Sequence, residues 1–320
     1  MKILANDGIS ISGAKKLENA GYEVIQTKVA QNQLADYLNQ NQIHIILVRS
    51  ATEIRKDLID ACDLKLIGRG GVGMDNIDVD YALEKGIKVI NTPGASSRSV
   101  AELVFAHLSG GVRFLHLANR EMPLEGEMNF KQLKKAFKGR ELKGKTLGIL
   151  GFGKIGTEVA KIALGIGMHV QIVDSNYKDG ETVPLTLEFA NGQKITLDIK
   201  SVSKENLLKT SDFISLHVPA QKEFVIGEEE IKLMKKSAGL INAARGGVVD
   251  EEALDVALAE NRLAFAALDV FQAEPNPPVK LLMNPGISLS PHVGGSTDEA
   301  QERIGVELAD QIIQEFGNQN

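Results

Sequence analysis

Apolar positions along this chain come in short runs, and the stretches between them carry a helical period. In the first hundred residues the runs fall at 2–6, 23–27, 43–48, 64–67 and 87–90. Between them, 12–20, 33–39, 56–61 and 78–85 place apolar residues three and four apart, and Gly86 stops the last of these. Short apolar runs alternating with amphipathic helices predict parallel strands flanked by helices. A helical pattern then runs from 99 to about 119, interrupted by Gly110-Gly111, which suggests close packing or a bend. Residues 121–145 are polar and mixed, and read as an excursion between domains.

The alternation resumes at 146–150, a strand, followed by Gly151-Phe152-Gly153-Lys154-Ile155-Gly156, a helical stretch at 158–164, and a strand at 169–173 ending in Asp174. A strand, a G-x-G-x-x-G turn, a helix and an acid at the next strand's tip form the dinucleotide-binding fingerprint. Gly151 makes the tight turn, Gly153 admits a pyrophosphate to the backbone, and Gly156 packs helix on strand. Asp174, suited to a ribose 2′-OH and repelling a 2′-phosphate, selects NAD. Residues 181–200 break the rhythm: Leu185, Leu187 and Phe189 alternate, Asn191-Gly192 signals a type I′ hairpin, and Ile195, Leu197 and Ile199 alternate back. This hairpin reads as an insertion. Strand and helix patterns follow at 213–217, 229–234, 239–242, 251–260, 264–269 and 287–290, and a helix over 297–316.

With 320 residues, two domains are expected, each with its own core. A net charge of −6 and a pI near 5.6 argue against a nucleic-acid partner. No apolar run is long enough to span a bilayer and no leader pattern follows Met1, so no membrane association and a cytoplasmic location are expected. A single cysteine, Cys62, excludes an intramolecular disulfide. No Cys/His cluster or H-E-x-x-H spacing points to a metal.

Ligands of doubly wound sheets sit beyond the carboxyl ends of the strands. Those ends carry Arg49-Ser50, Arg69-Gly70-Gly71, Asp174, His217-Val218, Ala243-Ala244-Arg245, Asp269 with Glu274 five residues on, and His292-Val293-Gly294-Gly295. A carboxylate at Glu274 would orient His292 and favour its proton; Arg245 would bind a carboxylate bidentately and polarise an adjacent carbonyl. Together they suit the clamping and protonation of a 2-oxo acid while a nicotinamide supplies hydride. Taken singly, each also has a plain structural reading. His44, His107, His116 and His169 fall inside strands or helices and read as structural.

Four blocks carry a resemblance over nearly the full length: 151–156 with Asp174, 242–250, 268–275 and 290–297. In these the chain resembles the D-isomer-specific 2-hydroxyacid dehydrogenase family. The resemblance implies two doubly wound parallel-sheet α/β domains, with a Rossmann NAD-binding domain (99–296) inserted into a discontinuous flavodoxin-like substrate domain (1–98 and 297–320). It implies Arg245, Glu274 and His292 as the catalytic set. It implies NAD contacts from Gly151, Gly153, Lys154, Ile155, Gly156, Asp174, Val218, Ala243, Ala244, Arg245, Asp269, His292, Gly294 and Gly295, and assembly as a homodimer or larger homo-oligomer. Blocks 48–52, 68–78 and 91–93 resemble the substrate loops of members acting on a phosphorylated 2-hydroxy acid, with Arg49, Ser50, Arg69, Gly70 and Gly71 at the substrate. Three departures accompany it. The sequence stops after one closing helix, so a C-terminal regulatory domain is not expected. The 181–200 hairpin lies outside the common pattern, and Ala243 stands where a small hydroxyl residue is frequent. Reductases of unphosphorylated 2-oxo acids, and NAD-sensing corepressors on the same fold, remain open readings.

Overall fold

The computed structural model describes residues 1–319. The chain divides into two compact units, Met1–Ser99 with Gly295 onward, and Val100–Gly294. The first unit holds β1 (Lys2–Ala5), α1 (Ile11–Asn19), β2 (Glu23–Ile25), α2 (Leu34–Gln40), β3 (Ile45–Val48), α3 (Lys56–Ala61), β4 (Leu66–Arg69), α4 (Val79–Glu84) and β5 (Lys88–Asn91). Helix α5 (Ser97–Val112) follows. The sheet is parallel throughout, in the order β2-β1-β3-β4-β5 of flavodoxin-like folds. All four residues of β3 are buried, as a central strand covered on both faces requires. The closing helix of this unit comes from the chain's far end and packs on α1. There an ideal Cβ on Gly13 would lie 2.5 Å from the Gly305 carbonyl, so the two backbones touch where no side chain fits. Ser10 caps α1 by accepting from the Gly13 N–H, and Thr297 caps the closing helix through the Ala300 N–H.

The second unit continues with α6 (Leu115–Ala136), β6 (Thr146–Leu150), α7 (Lys154–Gly165), β7 (His169–Val173), β8 (Thr182–Glu188), β9 (Lys194–Ser201), α8 (Lys204–Thr210), β10 (Phe213–Leu216), α9 (Glu228–Leu233), β11 (Gly239–Asn242), α10 (Glu251–Ala259), β12 (Phe265–Leu268), α11 (Val279–Leu282) and β13 (Ile287–Leu289); α12 (Asp298–Phe316) is the closing helix of the first. The sheet order is β13-β12-β11-β10-β6-β7-β9-β8. Strands β10, β11 and β12 are buried at every position, and each such leucine, isoleucine or phenylalanine contributes about 1.5–3 kcal/mol of transfer free energy. Gly111 lets α5 lie on β12, since a Cβ there would sit 2.3 Å from the Phe265 ring.

Three expectations change. The 181–200 hairpin is not an appendage: β9 runs parallel to β7 as a strand of the sheet, and β8 closes the edge antiparallel. Its turn is not type I′, which needs positive φ at both central residues. Gly192 alone takes positive φ (81°), its N–H donating to Phe189, which leaves a three-residue loop with the glycine in the left-handed position. Residues 121–136 are helical on either side of a kink at Asn129 (φ -115°, ψ 20°), although Pro123 removes a backbone donor from the first piece. Among the described residues no helix is long and apolar enough to cross a membrane.

Candidate active site

The Gly-rich turn links β6 to α7. Gly151 has φ 93°, and a Cβ there would lie 2.5 Å from the His217 carbonyl oxygen, so turn and close approach both demand glycine. At Gly156 a Cβ would lie 2.2 Å from the Gly151 carbonyl oxygen, fixing the start of α7 against the turn. Around Gly153 there is nothing within 4 Å of where a Cβ would stand. The middle glycine faces open space at the N-terminus of a twelve-residue helix, where Lys154 and Ile155 begin the first turn and unpaired N–H groups favour an anion. These residues fit a dinucleotide pyrophosphate. Asp174, beyond β7, accepts from the Phe152 N–H (2.6 Å) and from the backbone and side-chain nitrogens of Asn176 (2.9 and 2.8 Å). It therefore ties the turn to the neighbouring strand, and its remaining acceptor capacity is what a ribose hydroxyl can use.

At the end of β10, His217 Nε2 lies 2.8 Å from Ser215 Oγ while its Nδ1 is enclosed without a partner, and burial pushes the ring pKa down to about 3. Val218 beside it packs against the core. Past β11, Asn242 is 2% exposed and staples the next turn, accepting from the Ala244 N–H (3.1 Å) and donating to the Arg245 carbonyl (2.9 Å). Ala243 and Ala244 are buried. Arg245 donates to the Ala244 carbonyl (2.6 Å). A Cβ on Gly246 would fall 1.9 Å from the Phe271 carbonyl oxygen, so the loop bearing Arg245 runs against the loop leading to Glu274.

Glu274 Oε1 accepts from the Phe271 N–H (2.9 Å), and Oε2 lies 2.8 Å from His292 Nδ1. A carboxylate only accepts, so Nδ1 carries the proton and Nε2 is left as the ring's exchanging atom. His292 itself has φ 55°, a left-handed conformation uncommon outside glycine. Asp269, 2% exposed, braces that turn: Oδ1 accepts from the Val293 N–H (2.9 Å) and Ser290 Oγ (2.6 Å), and Oδ2 from the Gly294 N–H (2.9 Å). Arg245, Glu274, Asp269 and His292 thus stand on adjoining strand ends of one sheet. Gly295 belongs to the first unit, where its carbonyl accepts from Gln301.

In the first unit, Arg49 follows β3, with Ser50 exposed beside it. The loop is pinned from below by Asp7, which accepts from the Arg49 N–H (2.7 Å), from the Thr52 N–H and hydroxyl (3.2 and 2.8 Å), and from Lys28. Asn76 donates to the carbonyls of Arg49 and Thr52, both at 2.6 Å. Burial lowers the Arg49 pKa, and the Asp7 charge partly offsets it. Burial alone would raise the Asp7 carboxyl; hydrogen bonds from Lys28, the Arg49 N–H and Thr52 outweigh it and hold its pKa below the ordinary value. Arg69 ends β4, and its guanidinium lies over Gly71, which has φ 144° and no room for a Cβ beneath it; Gly70 donates to the Val48 carbonyl. Sequence reading did not find Asp7, Asn76 or Asn242 as braces of this kind; Asn76 and Asn242 lay within quoted blocks without a role.

A parallel sheet of Rossmann order bearing this turn and these strand ends defines a dinucleotide-dependent enzyme scaffold. The chain belongs to the D-isomer-specific 2-hydroxyacid dehydrogenases: the sequence profile of that family's NAD-binding domain matches residues 105–294. It is 43% identical to a hydroxypyruvate reductase of Thermotoga maritima over 283 residues, which is 86% of either chain. It is 40% identical to a D-3-phosphoglycerate dehydrogenase of Methanocaldococcus jannaschii over 315 residues, covering 98% of this chain and 57% of that one. The chain thus spans little more than half the length of that relative. Among solved structures, a glyoxylate reductase from Paecilomyes thermophila matches 99% of this chain and 96% of its own with a TM-score of 0.80 at 28% identity. The protein is an NAD-dependent D-2-hydroxyacid dehydrogenase by family.

Proposed function

We propose that the chain oxidises D-3-phosphoglycerate to 3-phosphohydroxypyruvate, the step that opens serine synthesis. The observation that carries the acid/base chemistry is the 2.8 Å His292 Nδ1–Glu274 Oε2 pair, which leaves Nε2 to exchange a proton with substrate oxygen. Arg245 holds the substrate carboxylate and polarises the oxygen on C2. A bound nicotinamide would supply the acceptor for the hydride leaving C2. The C2 hydroxyl proton passes to His292 Nε2, and the carbon–oxygen bond becomes a carbonyl; the reverse reaction returns the proton from the imidazolium. Glu274 keeps its place on Nδ1 and offsets the ring's positive charge. Gly151, Gly153, Lys154, Ile155, Gly156, Asp174, Val218, Ala243, Ala244, Arg245, Asp269, His292, Gly294 and Gly295 contact the cofactor in this reading. Arg49 and Arg69, with Ser50, Gly70 and Gly71, meet the second anionic group, and the bracing of Arg49 by Asp7 and Asn76 supports that role. The active form is a homodimer or larger assembly of this chain.

A second reading, reduction of hydroxypyruvate or glyoxylate, is favoured by the 43% identity to a hydroxypyruvate reductase. The two readings separate in an NADH-oxidation assay over a panel of 2-oxo acids. Phosphohydroxypyruvate is expected to be reduced fastest. Arg49→Ala or Arg69→Ala is expected to cut its kcat/KM by about 10²-fold, the loss of a charge-assisted contact, and to cut glyoxylate turnover far less. Equal losses on both substrates refute the phosphate role. No turnover on any member refutes the enzyme reading and favours an NAD-sensing binding protein.

A further inference from the structure

A buried polar chain behind the His292 turn is not used by the chemistry above. His107, on α5, is 6% exposed. Its Nδ1 lies 2.9 Å from Ser288 Oγ and its Nε2 2.8 Å from Ser290 Oγ. Ser290 Oγ in turn donates to Asp269 Oδ1 at 2.6 Å. Asp269 spends its other bonds on the Val293 and Gly294 N–H groups.

The carboxylate end sets the direction of every bond. Ser290 has one hydroxyl proton and gives it to Asp269, so its oxygen must accept from His107. Nε2 of His107 therefore bears a hydrogen, and in the neutral ring Nδ1 accepts from the Ser288 hydroxyl. Burial is the larger influence on this ring and lowers its pKa, with Asp269 pulling upward and His116 pushing further down. A neutral imidazole has one N–H, and this geometry uses it on Ser290.

We propose that His107 is a positioning residue for His292. Through Ser290 it fixes the Asp269 carboxylate, and Asp269 holds residues 293 and 294 so that the left-handed turn at His292 presents Nε2 outward. A hydrocarbon at position 107 would leave the Ser290 hydroxyl oxygen without its donor and that hydroxyl freer to turn away from Asp269. The proposal rests on the reading of His292 as the acid/base.

Two measurements test it. Nitrogen-15 NMR of histidine-labelled protein is expected to show His107 as the neutral Nε2–H tautomer at pH 7. An Nδ1–H tautomer or a cationic ring overturns the bond directions, whatever the enzyme does. In turnover, His107→Leu is expected to lower kcat about tenfold with KM for NADH within about twofold, as a small misplacement of a reacting group would. His107→Gln, whose amide Nε2 can still donate to Ser290, is expected to recover most of the loss. Ser290→Ala should match His107→Leu, and the double variant should lose no more than either, because both break one chain. It also serves where His107→Leu does not fold. Unchanged kcat in these variants, equal loss in His107→Leu and His107→Gln, or additive losses overturn the positioning role. Failure of the acid/base reading shows separately, as turnover that survives His292→Ala.

Discussion

Three glycines within six residues answer to three different forces. Gly151 is required by a positive φ and a neighbouring carbonyl, Gly156 by a carbonyl of its own turn, and Gly153 by nothing in the protein. A methyl group at 156 would press on backbone, which cannot swing aside, and Gly156→Ala is expected to cost about 1–3 kcal/mol in urea unfolding. Gly153→Ala should leave the unfolding midpoint in place and weaken NADH binding, read by fluorescence titration. If Gly153→Ala binds NADH normally, the turn does not face the phosphates. Asp7 makes a second case at this scale. Its pKa is depressed in the folded chain, so its stabilisation is present in full above the ordinary value of 3.8 and is lost as pH falls from there through the lower folded value. Asp7→Asn is expected to lose about 1–3 kcal/mol near neutral pH, with the gap to the parent closing below about pH 4. A gap that persists unchanged in acid refutes the assignment. The turn at Gly151 and the helix packing at Gly156 were legible in the sequence because both belong to one short, local motif. Asp7, Asn76 and Asn242 were not, because bracing partners 21 to 45 residues apart leave no local pattern, and even the near partners of Asn242 depend on a turn that propensity does not reveal.

Among the elements, the period of the apolar residues located nearly every strand and misplaced what the strands were for. Alternation at 185–189 and 195–199 correctly signalled two antiparallel strands. What it could not show is that β9 also pairs with β7, since pairing partners are set by the sheet and not by the strand's own pattern. Helix α6 shows the opposite failure: Pro123 and a polar composition hid its helical turns beyond 119, which run on either side of a kink at Asn129. That helix buries none of its residues, yet Leu115, Met122, Leu124, Met128 and Phe130 on it are all exposed. Apolar surface left open in this way fits the proposed self-association. Light scattering is expected to give twice the chain mass, and Leu124→Glu with Met128→Glu to shift it toward one chain with the fold intact. A parent already monomeric at micromolar concentration refutes α6 as the contact.

Across the whole chain, the α/β class was legible because buried parallel strands must be apolar at successive positions, and few other architectures alternate them with amphipathic helices. Less visible was how much the first unit depends on its last piece. Ile304, Leu308 and Ile312 of α12 complete a core with Ile3, Leu17, Ile45 and Leu66, and Gly305 meets Gly13 backbone to backbone. A ribosome releases these partners far apart in time. Everything from Val100 to Gly294 is made while that apolar flank waits uncovered, roughly 10–40 s at ordinary elongation rates. The second unit has its whole sequence early and can fold on emergence. The first must remain open until α12 has emerged, so the glycine crossing that makes it compact also leaves it the part of the nascent chain most in need of a chaperone.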